Sequence, residues 1–461
     1  MRLSSILLST TAMLAVASLA MPANADPTTT QRLLNADSEP ENWLMYGQNY
    51  SNWRYSQLDQ INKGNVANLK LLFMASIGGS STRSGTRDGN EQSSPLAEDG
   101  IIYLTDFENK LMAFDVTSGD RAFPLWRFDP ENSEDGRNSR GIALYGNNVI
   151  QSTIDARIIA VDKASGEAVW EVSGREPEGG PNATDAIATR TFRAVPQVFG
   201  TAGGRDIIIQ GSTGSGVGWI AGFDASNGEN IWRTYTIPQP GEPNFGTWPD
   251  DKWKWGGANP WGTQAFDYES NLIYVGTGEP SPVYDPEFRP GDNLYSVSTL
   301  AVNADTGELA WFFQETPNDQ WDYDSTSTRI LYEANGTKVV SNWARNGFFY
   351  TLNRATGEFM SAVAQVDNIN WTAGVDEKTG KPIEYVPNGG LQTYAVAGPR
   401  RGRSEADAPL VCATWGGGTT GIWSGSYDPT TGLTYNTRTT GCTYQTMQTT
   451  TDEAFNPLQR E

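Results

Sequence analysis

The sequence predicts an all-β chain built as a β-propeller, and three observations carry that prediction. A short phrase recurs along the 461 residues; Gly (49) and Trp (16) are abundant; and long amphipathic helical periodicity is scarce. The phrase reads Ala113-Phe114-Asp115, Gly119, Trp126. It returns as Ala160-Val161-Asp162, Gly166-Glu167, Trp170, then as Gly222-Phe223-Asp224, Gly228-Glu229, Trp232, and as Ala301-Val302-Asn303, Gly307-Glu308, Trp311. A weaker copy, Thr351-Leu352-Asn353 with Gly357-Glu358, ends in Phe359. Self-similarity at such a period means stacked supersecondary units. Each copy reads as an apolar strand ending in Asp or Asn, a tight turn closed by Gly, and a second strand starting near the Trp. The Trp supplies a flat surface on which neighbouring sheets pack. Small sheets repeated radially make a propeller.

Taken in order, residues 1–25 read as a secretory signal. Arg2 precedes the apolar run Ile6 to Ala20, and Ala23-Asn24-Ala25 offers a cleavage site. The run is too short for a comfortable membrane span. This predicts an exported, periplasmic protein without a stable membrane span. Residues 26–461 read as one incomplete propeller domain. A polar leader (26–40) is followed by Trp43 to Phe73, where the chain enters the fold. Gly78 to Asn90 reads as a loop, and the repeats then run to about residue 360. Insertions at 129–140, 174–191 and 236–260 are the kind of loop on which sites are built. A sheet-like stretch from Trp423 to Tyr435 reads as a partial blade, and after Cys442 no further repeat follows. Five signatures and one partial blade give about six blades.

Composition removes several function classes. The chain has no histidine, which rules out a Ser-His-Asp triad, a Cys-His nucleophile, a His-ligated zinc and a CxxCH haem site. Proton transfer must fall to carboxylates, Lys or Tyr. A formal net charge of -21 argues against nucleic acid and anionic membranes. It suits a basic protein partner or plain solubility. Cys412 and Cys442 are the two cysteines. After export, an even pair on neighbouring strands predicts a disulfide, the alternative being two buried thiols. Closing such a loop is worth about 3 kcal/mol in the chain-entropy model.

The densest chemical signal is Asp319-Gln320-Trp321-Asp322-Tyr323-Asp324. Alternation in an extended segment predicts Asp322 and Asp324 on one side. Two such carboxylates repel unless a proton or cation lies between them, and a hard cation with oxygen ligands resolves this. Gly276-Thr277-Gly278-Glu279-Pro280 adds a carboxylate on a turn. Trp255-Gly256-Gly257-Ala258-Asn259-Pro260-Trp261-Gly262 places an indole among glycines, where a flat ligand can approach. Arg345-Asn346-Gly347 adds a fork-shaped cation. Singly, each has a plain alternative: a capped turn, a core Trp, a surface ion pair. Together on the loops of one repeat protein they point to a site.

These segments resemble the quinoprotein alcohol dehydrogenases, which carry pyrroloquinoline quinone (PQQ) on an eight-bladed propeller. The resemblance covers 42–445. It rests on the repeated phrase, Ile61-Asn62-Lys63-Gly64-Asn65-Val66, Trp261-Gly262, Gly276-Thr277-Gly278, Arg289-Pro290-Gly291-Asp292-Asn293, Trp321-Asp322-Tyr323, and Arg345-Asn346-Gly347 leading to Tyr350. It implies that Trp261 stacks beneath the quinone, Asp322 is the catalytic base, and Arg345 bonds the reactive quinone carbonyl. Arg140 and Thr213 resemble further cofactor contacts, and Gln92 stands where a cofactor-binding Glu is common. The implied reaction takes a small alcohol to an aldehyde or ketone and passes electrons to a separate cytochrome c. The Cys412–Cys442 spacing is similar to a bridge of the methanol dehydrogenases.

The chain also departs from the family. Gly214 to Gly218 lacks the carboxylate that usually binds the metal, and Glu279 replaces an Asn ligand. The adjacent-cysteine bridge of many members is missing, with Glu134-Asp135 in its place. Asp324 resembles the extra Asp of the lanthanide-using members. Glu279, Asp322 and Asp324 are therefore the implied metal ligands, for a lanthanide or Ca²⁺. Members run on by roughly two blades of about 40–50 residues, so the chain is expected to be C-terminally truncated, with a fragment or a second completing chain as the two explanations. Two rival functions remain at this point. One is a non-catalytic periplasmic propeller scaffold; the other is a quinoprotein acting on sugars or aldehydes.

Overall fold

A computed structural model describes residues 26–78, 92–131, 140–176, 180–182, 190–214, 216–401, 404–413, 424–438 and 440–445. Residues 1–25, Glu134-Asp135, Ser215 and Trp423 lie outside the described residues. The fold is all-β. Its described residues hold five four-stranded antiparallel sheets, each made from four strands consecutive along the sheet. The last two strands of each carry the repeated phrase. In the second sheet, for example, Ile142–Tyr145, Asn148–Ser152, Arg157–Asp162 and Ala168–Ser173 lie side by side. The third strand is buried along its interior, whereas the fourth alternates between exposed and half-buried residues. Each sheet thus hides its inner strands and turns its last one outward.

The repeated Trp works between sheets. Within its own sheet Trp170 pairs with Ala160, Trp232 with Gly222 and Trp311 with Ala301, each pair followed by a one-residue register shift. The indole then lies on the glycine of the next sheet's turn. A Cβ added to Gly166 would come 2.6 Å from Trp126, one on Gly228 2.7 Å from Trp170, and one on Gly307 2.5 Å from Trp232. Gly357 is covered by Trp311 in the same way. The indole nitrogen of Trp126 donates to the Lys163 carbonyl at 2.8 Å, and that of Trp232 to the Ala304 carbonyl at 3.0 Å. Only glycine fits here, because the turn needs a positive φ (+75° at Gly307) and the indole leaves no room for a side chain.

Phe359 continues the series. It covers Gly380, in a turn where the Gly380 N–H donates to the Asp376 carbonyl at 2.8 Å. That copy, Asp376 to Lys381, escapes a search keyed on Trp because no Trp follows it. A further turn of the same form closes the hairpin of Ser426–Asp428 and Leu433–Tyr435, in the stretch predicted as a partial blade. Cys412 and Cys442 sit opposite each other on paired strands and form a disulfide.

The segment after Trp43 is more than an entry. Its backbone bonds the first strands of several sheets in turn: Trp43 with Ala97, Tyr50 with Phe266, Ser51 with Leu331, and Trp53 with Tyr427. Asn52 adds side-chain bonds to the Gln264 and Arg329 carbonyls at 2.9 and 3.1 Å. This strap ties the inner edges of the sheets together. One continuous apolar core runs from Leu33 through the first four sheets to Ala304. A second joins the fourth and fifth sheets to an aromatic group of Trp321, Tyr323, Trp371 and Tyr394.

Candidate active site

The acidic run Asp319 to Asp324 is folded by its own neighbours. Trp321 and Tyr323 are both fully buried, with ring centroids 5.2 Å apart, in the aromatic group. Both Asp322 and Asp324 therefore face away from it and meet at one guanidinium. Arg345 Nη1 donates to Asp324 Oδ2 at 2.8 Å and to Asp322 Oδ1 at 3.4 Å, and to the Asp322 carbonyl at 3.2 Å. The route differs from simple strand alternation. Asp322 has φ +70° and lies outside any strand, so the chain kinks between the two acids.

Glu279 completes the group. One carboxylate oxygen from each of Glu279, Asp322 and Asp324 lies within 4.8 Å of the others. The Glu279 N–H donates to Asp324 Oδ1 at 2.9 Å, locking the two loops together. Tyr284 donates to Asp322 Oδ2 at 3.4 Å. Burial pushes the Asp324 carboxyl up against the pull of Arg345. For Arg345 burial acts downward, but the charges of Asp324, Asp322 and Glu279 overcome it and hold the guanidinium above its usual range. Asp324 is almost closed off, at 5% side-chain exposure, whereas Asp322 keeps 21%.

Trp261 adjoins the carboxylates through Gly278. A Cβ on Gly278 would fall 2.7 Å from Asp324 Oδ1 and 3.3 Å from Trp261 Nε1, so glycine is what lets indole and acid come together. The Arg140 and Arg345 guanidiniums lie 4.8 and 5.7 Å from the Trp261 ring centroid. Desolvation lowers the Arg140 pKa, and the Arg345 charge adds to this. Asn259 braces the Trp261 loop: it accepts from Ser212 Oγ at 3.0 Å and donates to the Gly214 carbonyl at 2.8 Å. That places Thr213, between those two residues, beside the loop. Gln92 is half-buried and reaches the region through its neighbours, the Ser94 N–H donating to the Arg140 carbonyl at 3.1 Å.

The donor set fits the groups that the sequence implies. Three clustered carboxylates, all oxygen, suit a hard cation. The Thr213 hydroxyl is buried without a hydrogen-bond partner, a donor held ready for a polar ligand. The half-buried Trp261 offers a flat apolar face beside it. Residues 43–370 match the family model described as PQQ: glucose/ethanol/alcohol dehydrogenase, beta-propeller domain. The chain belongs to the PQQ-dependent alcohol dehydrogenase family. It is 34% identical over 442 residues to quinohemoprotein alcohol dehydrogenase ADH-IIG of Pseudomonas putida, covering 90% of this chain and 56% of that protein. The solved structure of that enzyme is similar with a TM-score of 0.77 at 31% identity, over 92% of this chain and 60% of the other. A europium-containing methanol dehydrogenase is similar with a TM-score of 0.75 at 26% identity, over 88% and 69%. The chain spans little more than half the length of the curated relatives it matches.

Sequence reasoning missed the residues that support this site without entering it. Asp319 was visible only as one more acid in the run. Arg289 was visible only as part of a family motif. Tyr284 carried no signal at all.

Proposed function

We propose that this chain forms the quinone site of a periplasmic PQQ-dependent alcohol dehydrogenase that converts an alcohol to an aldehyde or ketone. The convergence of Glu279, Asp322, Asp324 and Arg345 beside Trp261 carries the reading. Glu279, Asp322 and Asp324 would hold the cation, and Trp261, Arg140, Thr213, Gln92 and Arg345 the quinone. When bound, PQQ would supply a hydride acceptor and the cation a Lewis acid.

The chain's own residues divide the remaining work by exposure and charge. A general base has to be reached by the substrate. Of the two acids on Arg345 only Asp322 is open enough, so its carboxylate takes the proton of the alcohol's hydroxyl. Asp324 is kept for structure and charge by its burial and its short bond to Arg345. Arg345, fixed by both acids, supplies preorganised positive charge where negative charge develops. Trp261 excludes water from one side of the site and orients a planar ligand.

Three carboxylates match the charge of a trivalent ion, and we assign the cation as a lanthanide with Ca²⁺ as the rival. A separate cytochrome c is the electron acceptor in this reading, in keeping with the quinohemoprotein relatives. The test is dye-linked oxidation of a small primary alcohol by the full chain supplied with PQQ and either La³⁺ or Ca²⁺. Turnover with La³⁺ well above that with Ca²⁺ is expected. Equal or better turnover with Ca²⁺ removes the lanthanide assignment. Failure to bind quinone with either ion returns the scaffold reading.

A further inference from the structure

Two fully buried, oppositely charged residues stand behind the carboxylate cluster. The Asp319 carboxylate accepts the Trp321 N–H at 3.1 Å through one oxygen and the Tyr323 N–H at 2.9 Å through the other. Asp322 is the residue between those two N–H groups, and it is the one with φ +70°. Asp adopts that conformation more readily than most non-glycine residues. Here the Asp319 carboxylate, around which the backbone closes, holds the N–H groups on both sides of it.

Arg289 joins this turn to the other limb of the cluster. Its Nη2 donates to the Asp319 carbonyl at 2.6 Å and to the Val283 carbonyl at 2.7 Å, and its Nε donates to the Pro282 carbonyl at 2.9 Å. Pro282 and Val283 lie on the loop that leaves Glu279 and leads to Tyr284. Nη1 is held by Asn293 Oδ1 at 2.9 Å. One guanidinium therefore fixes the Glu279 limb against the Asp322 limb. Both residues are at 0% exposure and both Asp319 oxygens are taken up by backbone N–H groups, so neither residue is open to substrate.

We propose that Asp319 and Arg289 are positioning residues, a buried brace that holds Glu279, Asp322 and Asp324 at cation-binding spacing. The proposal rests on the reading of that cluster as a metal site. Outer partners that orient metal ligands change metal affinity by about 10–100-fold when removed. Asp319→Asn keeps the volume but loses one of the two acceptors, because an amide nitrogen cannot accept an N–H. Arg289→Lys keeps the charge but loses the planar fork that reaches three carbonyls.

The experiment titrates the full chain with Tb³⁺ alone, without quinone or alcohol, and reads Trp-sensitised terbium luminescence and the urea midpoint. Wild type is expected to bind Tb³⁺ and Asp324→Ala to lose that binding. Asp319→Asn is expected to bind about 10-fold or more weakly while still unfolding cooperatively. Asp319→Asn with wild-type Tb³⁺ affinity overturns the brace, whatever its urea midpoint, and reduces Asp319 to a folding role. Should Asp319→Asn not fold, Arg289→Lys decides by the same criterion. If wild type binds no Tb³⁺, or Asp324→Ala binds it as well as wild type, the metal site itself falls and the brace falls with it.

Discussion

The aspartates of the repeated turns and those of the central cluster are one side chain in two opposite settings. On the turns, Asp115, Asp162 and Asp224 bond the N–H of Thr117, Ser165 and Ser226, each at 2.8 Å and only two or three residues away. These contacts are exposed, local and repeated. At the centre, Asp324 is bonded by Arg345, 21 residues away, and by the Glu279 N–H, 45 residues away. Those contacts are buried, long-range and occur once. The turn acids shape the scaffold cheaply and in parallel. The central acids concentrate like charge, which the fold tolerates only because distant segments converge on it.

The comparison is broken most severely by Asp322→Asn. Loss of the proposed base is expected to lower alcohol turnover by about 10²–10⁴-fold while leaving the urea midpoint near wild type. Steady-state kinetics with dye acceptor and a denaturant titration read the two effects separately.

The joints between sheets come next. Gly307→Ala drives a Cβ to within 2.5 Å of Trp232 at φ +75°, and is expected to cost roughly 2–4 kcal/mol. Gly119 shares the conformation (φ +72°) but has nothing within 4 Å of an added Cβ. Gly119→Ala should therefore cost only the backbone penalty of about 1–2 kcal/mol. Equal losses for the two variants, measured by urea unfolding, would show that the indole contact contributes nothing.

A half-buried lysine sharpens the contrast through pH. Lys381 lies over the Phe313 ring and donates to the Gln314 carbonyl. Burial pushes its pKa down to about 8 from 10.5. Between those values the unfolded chain binds the proton more tightly than the folded chain. Folding stability of the wild type relative to Lys381→Met should therefore rise as pH goes from 8 to 10.5. Urea midpoints of both proteins across that window check the sign. The smallest effect belongs to the turns themselves. Asp224→Ala removes two exposed local bonds, from the Ser226 N–H and hydroxyl, and should cost about 0.5–1 kcal/mol without changing cation binding.

What could be read from the sequence follows the same division. The turn phrase puts its Asp, Gly and Trp within about a dozen residues, so the repeated sheets and the packing of the Trp against a neighbouring sheet were legible, while the seat of each indole on the next turn's glycine came from the structure. The Asp376 turn was not, because no Trp follows it as one follows most of the others. The pairing of Cys412 with Cys442 was legible from count and compartment alone. The cluster was legible in its members, since Asp322 and Asp324 stand two apart and Glu279 lies on a Gly-rich turn. Its brace was not, because Arg289 meets Asp319 across 30 residues through a backbone carbonyl, and carbonyls carry no sequence signal. The strap from Trp43 to Trp53 was hidden for the same reason: it works through main-chain bonds.

The account stands most directly on quinone and cation sharing one site and attracting each other there, in which case each tightens the other's binding by the same factor. Equilibrium titration of the full chain with PQQ, with and without La³⁺, measures this by quinone absorbance. La³⁺ is expected to tighten PQQ binding to wild type at least 10-fold and to leave Asp324→Ala unaffected. PQQ affinity that ignores La³⁺ in the wild type would contradict it.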